Sequence, residues 1–600
     1  MHSRLAALAW SALAVNAQNT LGQWDIAGQS GGERTEGPGG PGHGARGEEG
    51  PEAKTRRSKR VTPKPIFGTG KKIGDLITCI HTMLLPQSRL MCIERPHKGP
   101  GDGGPFNSTS NSDSIVAPTG GFFPGNGVSN RTVALIELQG EGPVVLSASI
   151  FEDGAPNVYA NSFCGGHVQM GNGSILVVGG DQQQWTDESG NHFLVSGGKK
   201  KRVYTPCGPT DYGCTNGTWT SYPDMTTSRW YPTVVTLKDG NQIILGGSIE
   251  NINMQTPDPV HNNNPTYEYL NNPTVGTWPK TLPILTWAFP HSLYPVATVM
   301  PSGRVYVFVS NESIVIDPSQ DFSNPAAVES HPIPDLVPGG PGTSDPKVAA
   351  AIADHSPWIY PHSATFTVLP MTLKNNYSFK LQVCGGSKSP ASAVSRGAQY
   401  NVSIYGDGGQ ARPYASASCV QINPDDAQPV WSAPDPMPNA RLMPDSVLLP
   451  DGKILYVNGA GWGQAGGDAG ESQYATDPVY GVDLFDPEAP SGSQWTSMAN
   501  ATVPRLYHSG ALLLSSGHVI TTGSEMQNYI DFWAPGGPKE NCYPVQIGGV
   551  NSPSCIDRAY LFTIVFWFIP LVQLVPGIIA FDSTGCWVRP MYLDARQKEG

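Results

Sequence analysis

The sequence predicts an all-β fold, and three observations predict it. Charged residues make up only 14 % of the 600 residues, while Gly (70) and Pro (56) are abundant. That balance suits a large turn-rich β protein better than a helical one. Short apolar runs alternate with Gly, Asn and Asp turns from about residue 116 to 530. One pattern also returns along that stretch: apolar strand, tight turn, apolar strand. The 14 Trp, 22 Tyr and 18 Phe can form a core and argue against a disordered chain. The formal net charge of −12 argues against a partner such as nucleic acid, whose phosphates need cations.

The recurring element reads MGNGSILVVGG (170–180), LKDGNQIILGG (237–247), MPSGRVYVFVS (300–310), LPDGKILYVNG (449–459) and LSSGHVITTGS (514–524). Its turn glycines are Gly173, Gly240, Gly303, Gly452 and Gly517. Glycine is expected there because hairpin turns need positive φ. The spacings are 67 residues (173 to 240), 63 (240 to 303) and 65 (452 to 517). The wider gap from 303 to 452 has room for two repeats, with a diverged strand end at Cys384-Gly385-Gly386. Repeats of this size predict four-stranded blades of a Kelch-type β-propeller. A β-sandwich would not require so regular a return.

Other segments mark the ends. Arg4, the apolar run Leu5 to Val15 and small residues Val15 and Ala17 outline a signal peptide over 1–17. Residues 18–75 read as a low-complexity linker, Gly- and Glu-rich, with a basic cluster at Arg56, Arg57, Lys59 and Arg60. Dibasic processing and translated non-coding sequence are both open readings there. The propeller is expected over 76–530, followed by an aberrant region, 531–600. Eight N-x-S/T sequons, at Asn107, Asn130, Asn172, Asn216, Asn311, Asn376, Asn401 and Asn500, agree with export. Export permits disulfides, and local spacing offers Cys207 with Cys214, Cys384 with Cys419, and Cys542 with Cys555.

The repeat also aims side chains. Cys164, Tyr231, Tyr294 and Met443 each lie nine residues before a turn glycine, and Tyr507 lies ten before Gly517. Arg229, Arg441 and Arg505 each stand two places before Tyr231, Met443 and Tyr507. Equal positions in a repeat are equal positions in each blade, so these side chains should meet at one mouth of the central channel. Met443 and Tyr294 taken alone read as packing. Cys164 beside Tyr231, with Tyr507 and His508 at the same mouth, suggests a metal site. Neighbours such as Tyr507 and His508 can both face it only where the strand is irregular. Nitrogen and oxygen ligands suit Cu(II).

The segments SFCGGHVQMGNGSILVVGGD (162–181), SRWYPTVVTLKDGNQIILGGS (228–248), FPHSLYPVATVMPSGRVYVF (289–308), NARLMPDSVLLPDGKILYVNGA (439–460) and PRLYHSGALLLSSGHVITTGSEMQNY (504–529) resemble the glyoxal oxidases, copper-radical oxidases related to galactose oxidase. The resemblance runs over roughly 76–545 in preserved order and implies a seven-bladed propeller. It implies that Cys164 forms a thioether with Tyr231, the copper ligand that carries a radical. It implies that Tyr507 is the axial ligand and base, and His508 one of two histidine ligands. Tyr294 is expected to shape the substrate pocket. The implied reaction is extracellular oxidation of simple aldehydes such as glyoxal and methylglyoxal, with O₂ reduced to H₂O₂ for peroxidases.

The family's second histidine comes from a C-terminal β domain, which here is expected to be missing or replaced. No histidine follows His518 in this sequence. His167, His291 and His362 are weak substitutes. An uncharged run at 559–581 occupies the region instead and is long enough to span a bilayer. It reads equally as a membrane anchor or as out-of-frame sequence. A second functional reading is therefore a catalytically incomplete binding propeller, with possible membrane contact through 559–581.

Overall fold

The computed structural model describes residues 80–93, 159–321 and 333–524, apart from interior stretches of which 389–413 is the longest, together with a few isolated strands. The expected signal peptide, residues 31–75, the Cys542–Cys555 pair and most of 559–581 lie outside the described residues.

The described chain is mostly β and is built from small antiparallel sheets. Gly166–Gln169, Ile175–Val178, Lys201–Thr205 and Thr218–Tyr222 form one. Thr233–Thr236, Gln242–Leu245, Thr266–Tyr269 and Lys280–Thr281 form the next, and Val296–Val299, Val305–Val309 and Glu312–Ile316 a third. Ala364–Val368, Leu381–Gly385 and Cys419–Ile422 follow, then Asp445–Leu448, Ile454–Val457, Asp483–Phe485 and Trp495–Ser497. An earlier sheet joins His81–Leu85, Arg89–Ile93, Val133–Glu137 and Val144–Leu146. In each of these, spatial order follows chain order. The last sheet pairs Ser509–Leu513 with Val519–Gly523 and is extended by Phe562–Phe566 and Gln23–Ala27. One strand of it thus lies in the span expected to be linker, and another in the apolar run at 559–581. Among the described residues no helix is long and apolar enough to cross a membrane.

The recurring hairpins have one local cause. Gly173, Gly240, Gly303, Gly452 and Gly517 all have φ between 83° and 87°. Each donates its N–H three residues back, to the carbonyls of Met170, Leu237, Met300, Leu449 and Leu514. This is a type I turn closed by a left-handed residue, which glycine adopts without a Cβ clash. Among the described residues, the gap between Gly303 and Gly452 holds a further first-and-second-strand hairpin, Ala364–Val368 and Leu381–Gly385, joined by residues 369–380. The Cys207–Cys214 and Cys384–Cys419 disulfides are both present.

The repeated arginines are structural. Arg229 donates to the Gly246 and Thr266 carbonyls and to Glu268. Arg441 donates to the Asn458 and Gly481 carbonyls and to Asp483, and Arg505 to the Gly523 carbonyl. Each guanidinium clamps the end of its own sheet's second strand, where bulged carbonyls would otherwise lie buried without donors.

The first strands of neighbouring sheets pack side by side: Gly166–Gln169 on Thr233–Thr236, that strand on Val296–Val299, Ala364–Val368 on Asp445–Leu448, that strand on Ser509–Leu513, and Ser509–Leu513 on His81–Leu85. Apolar side chains such as Leu245, Tyr306, Phe308, Val383 and Tyr456 fill the layers between sheets.

Two of the weak ligand candidates belong to this packing. His291 and His362 lie with ring centroids 5.9 Å apart, both buried. Burial pushes His291 down to about 4. The folded pKa is depressed below the ordinary 6.5, so between those values the unfolded chain binds the extra proton. Stability should therefore fall as pH drops from about 6.5 to about 4, by up to ~3 kcal/mol. A series of thermal midpoints across this window should be flatter for His291→Leu than for the wild type. Equal slopes would show that His291 titrates normally.

Candidate active site

Five of the first strands are preceded by a bend in which one non-glycine residue takes positive φ. These residues are Cys164 (55°), Tyr231 (60°), Tyr294 (48°), Met443 (52°) and His508 (61°). Left-handed backbone costs an L-residue roughly 1–2 kcal/mol, and it turns the side chain away from the sheet. Main-chain bonds tie three of the bends together. The Tyr231 N–H donates to the Cys164 carbonyl, and the Tyr294 N–H to the Tyr231 carbonyl, both at 3.0 Å.

The repeat register corrects one expectation. The left-handed position before Gly517 is held by His508, and Tyr507 precedes it. From the clamping arginine to its bound carbonyl the chain runs from 229 to 246 and from 441 to 458, but from 505 to 523. The last repeat therefore carries one extra residue at its bend. That insertion lets Tyr507 and His508, although adjacent, face the same way, with rings stacked 3.7 Å apart at 26°.

Cys164, Tyr231, Tyr294, Met443, Tyr507 and His508 line a single cavity of about 150 Å³. The hydroxyls of Tyr231 and Tyr507 lie 3.2 Å apart. The Cys164 Sγ lies 3.9 Å from His508 Nε2. Trp230 stacks on the Tyr231 ring at 4.4 Å and 17°, and Tyr294 tilts against it at 4.8 Å. The Tyr294 hydroxyl donates to the Gly165 carbonyl at 3.2 Å. Burial pushes both Tyr231 and Tyr507 well above the usual phenol range, and the neighbouring Cys164 and Tyr360 push them further.

Sequence reasoning missed three residues here. Tyr360 lines the cavity and packs its ring on Tyr231 at 5.0 Å. Its own phenol is pushed up to about 12 by burial. His81 and Asp445 also line the cavity. Asp445 accepts hydrogen bonds from Ser509 and Asn458 and so braces the residue after His508. His81 stands first on its strand. The substitutes proposed from sequence do not reach the cavity wall. His167 packs edge-on against His81 at 5.3 Å, and His291 pairs with His362.

The sequence is similar to several known proteins. Residues 347–543 match the family model described as the glyoxal oxidase N-terminus. The chain is 29 % identical to aldehyde oxidase GLOX of Vitis pseudoreticulata over 63 % of its length and 58 % of that protein's. It is 30 % identical to aldehyde oxidase GLOX1 of Arabidopsis thaliana over 53 % of its length and 45 % of that protein's. It thus spans about half the length of these relatives. A solved fungal alcohol oxidase of the AA5 family, in complex with copper, is 15 % identical, with a TM-score of 0.48 over 82 % of this chain and 75 % of that one.

Proposed function

We propose that this glyoxal oxidase-like chain is an extracellular copper-radical oxidase of simple aldehydes, its sheets closing into a seven-bladed Kelch-type propeller around the cavity. The observation that carries the reading is the pair of phenol oxygens, 3.2 Å apart, at one cavity with His508 and Cys164. Two phenols held above their usual range become phenolates only beside a cation. Tyr231, Tyr507 and His508 offer the mixed oxygen and nitrogen set that suits Cu(II).

Copper, when bound, would accept one electron and polarise the substrate oxygen. The remaining work falls to side chains. Tyr231, linked to Cys164 as a thioether, supplies the second one-electron centre. Tyr507 takes the substrate proton. Tyr294 walls the pocket and limits it to small molecules. The aldehyde hydrate loses two electrons and two protons to become the acid, and O₂ gains them as H₂O₂, a product peroxidases can use. The signal-like residues 1–17 and the sequons support secretion.

A binding propeller without chemistry is the second reading, favoured by one observation: His167, His291 and His362 are absent from the cavity lining. The mass of the peptides holding Cys164 and Tyr231 separates the two. Copper and O₂ should join them with the loss of two hydrogens. Unlinked peptides after copper loading would leave only the binding role.

The pocket role of Tyr294 is tested separately. Tyr294→Ala should lower kcat/KM for small aldehydes by roughly tenfold, since an emptied wall no longer positions the substrate. Tyr294→Phe should do less, losing only the bond to Gly165. Unchanged kinetics in both would remove Tyr294 from the pocket.

A further inference from the structure

Tyr507 and His508 stand in a bend that carries one residue more than its counterparts. An extra residue has no partner in the strand ladder, so other bonds must hold it. Within its own sheet the bend is tied to Ser524. The Ser524 N–H donates to the His508 carbonyl at 2.6 Å, and the Leu506 N–H to the Ser524 hydroxyl at 2.9 Å. A further tie crosses to the neighbouring sheet. The Ser509 hydroxyl donates to Asp445 Oδ2 at 2.9 Å, and the Asn458 amide donates to the same oxygen at 2.8 Å.

The crossing tie has a counterpart elsewhere in the repeat. Thr233 opens its strand and donates at 2.6 Å to the carbonyl of Pro295, the residue after Tyr294 in the next sheet. Asp445 also opens its strand, and its partner Ser509 is the residue after His508 in the next sheet. Thr233 makes the tie with a neutral hydroxyl. At Asp445 a carboxylate takes that place, only 2 % exposed, and a carboxylate is the stronger acceptor. Asp445 is itself fixed from behind, since Arg441 donates to the Asn458 carbonyl at 2.9 Å. We propose that Asp445 is a positioning residue: through Ser509 it locks the Tyr507–His508 bend against the neighbouring sheet, and so holds both side chains in the arrangement that binds copper. The proposal rests on the radical-oxidase reading above and deepens it.

Losing the tie should cost metal binding more than folding. His508 holds a left-handed backbone at φ 61°, against the preference of an L-residue. A bend strained in this way relaxes when a tie is cut, and the two rings then leave their 3.7 Å stack. The sheet packing around Asp445 would remain. Groups that hold metal ligands in place change metal affinity in this way without touching the metal.

The test is a titration of the full chain with Cu(II), followed by equilibrium dialysis and electron paramagnetic resonance. Asp445→Ala should lower copper affinity about tenfold, and its resonance should broaden into more than one form. Asp445→Asn should recover most of the affinity, because one amide oxygen can accept both bonds now made to Oδ2. Ser509→Ala should cost as much as Asp445→Ala, and the double variant no more than either, since both cut the same tie. Unchanged affinity in folded Asp445→Ala, no recovery in Asp445→Asn, or additive losses would each overturn the proposal, while copper binding and the Cys164–Tyr231 link in the wild type would leave the oxidase reading in place. If Asp445→Ala fails to fold, Ser509→Ala decides, and an affinity equal to the wild type overturns the proposal. A wild-type chain that neither binds copper nor forms the link would overturn the oxidase reading and this proposal with it.

Discussion

Replacing Arg229 by methionine is expected to destabilise the fold by about 3–5 kcal/mol, the range for breaking a buried ion pair from one side. Arg229 and Glu268 lie 3.0 Å apart with both side chains fully buried. Without the guanidinium, Glu268 keeps donors only from Thr226, the Gly246 carbonyl loses the Arg229 N–H, and the Thr266 carbonyl keeps only the Gly246 N–H. The urea midpoint should fall while its slope stays the same. The double variant Arg229→Met with Glu268→Gln should recover much of the loss, because no buried charge is then left alone. A small change in the single variant would mean that water reaches the clamp. The consequence for the site is direct, since Arg229 stands two residues before Tyr231.

The second large effect is on chemistry. Tyr231→Phe should reduce aldehyde oxidation to background in steady-state oxygen consumption. On the proposed reading the change removes one copper donor, the radical centre and the hydroxyl that faces Tyr507, all at once. The ring remains to stack on Trp230, so the thermal midpoint should move little. Copper affinity should fall as well, which equilibrium dialysis would show. Residual oxidation at wild-type rates would place the chemistry elsewhere.

The hairpins were legible because their turns need positive φ, and glycine marks that need in the sequence. Two sheets lack that turn glycine for physical reasons, although the strand end at Cys384-Gly385-Gly386 did mark the second. In the hairpin of His81–Leu85 and Arg89–Ile93 the left-handed position is Gln87, at φ 62°, so no glycine signals it. In the sheet beginning at Ala364, residues 369–380 separate the first two strands and stretch the spacing. The arrival of Cys164, Tyr231, Tyr294 and Met443 at one cavity followed from equal repeat positions. The pairing of Tyr507 with His508 was legible only as a required irregularity. Its cause, one inserted residue, shows once the arginine clamps are compared. Tyr360 was not legible, because it stands four residues before its strand rather than two. Only packing between sheets brings it to the centre.

The left-handed bends also imply a trade between durability and work. Glycine would occupy those positions without strain, so natural selection for stability alone would favour it there. This chain instead keeps Cys, Tyr, Tyr, Met and His at five of them, each held against a backbone preference of roughly 1–2 kcal/mol. Engineering the protein for heat resistance by placing glycine at these bends should succeed structurally at Met443. At Cys164, Tyr231 or His508 the same gain would erase the proposed centre, so there the strain would be the condition for that site.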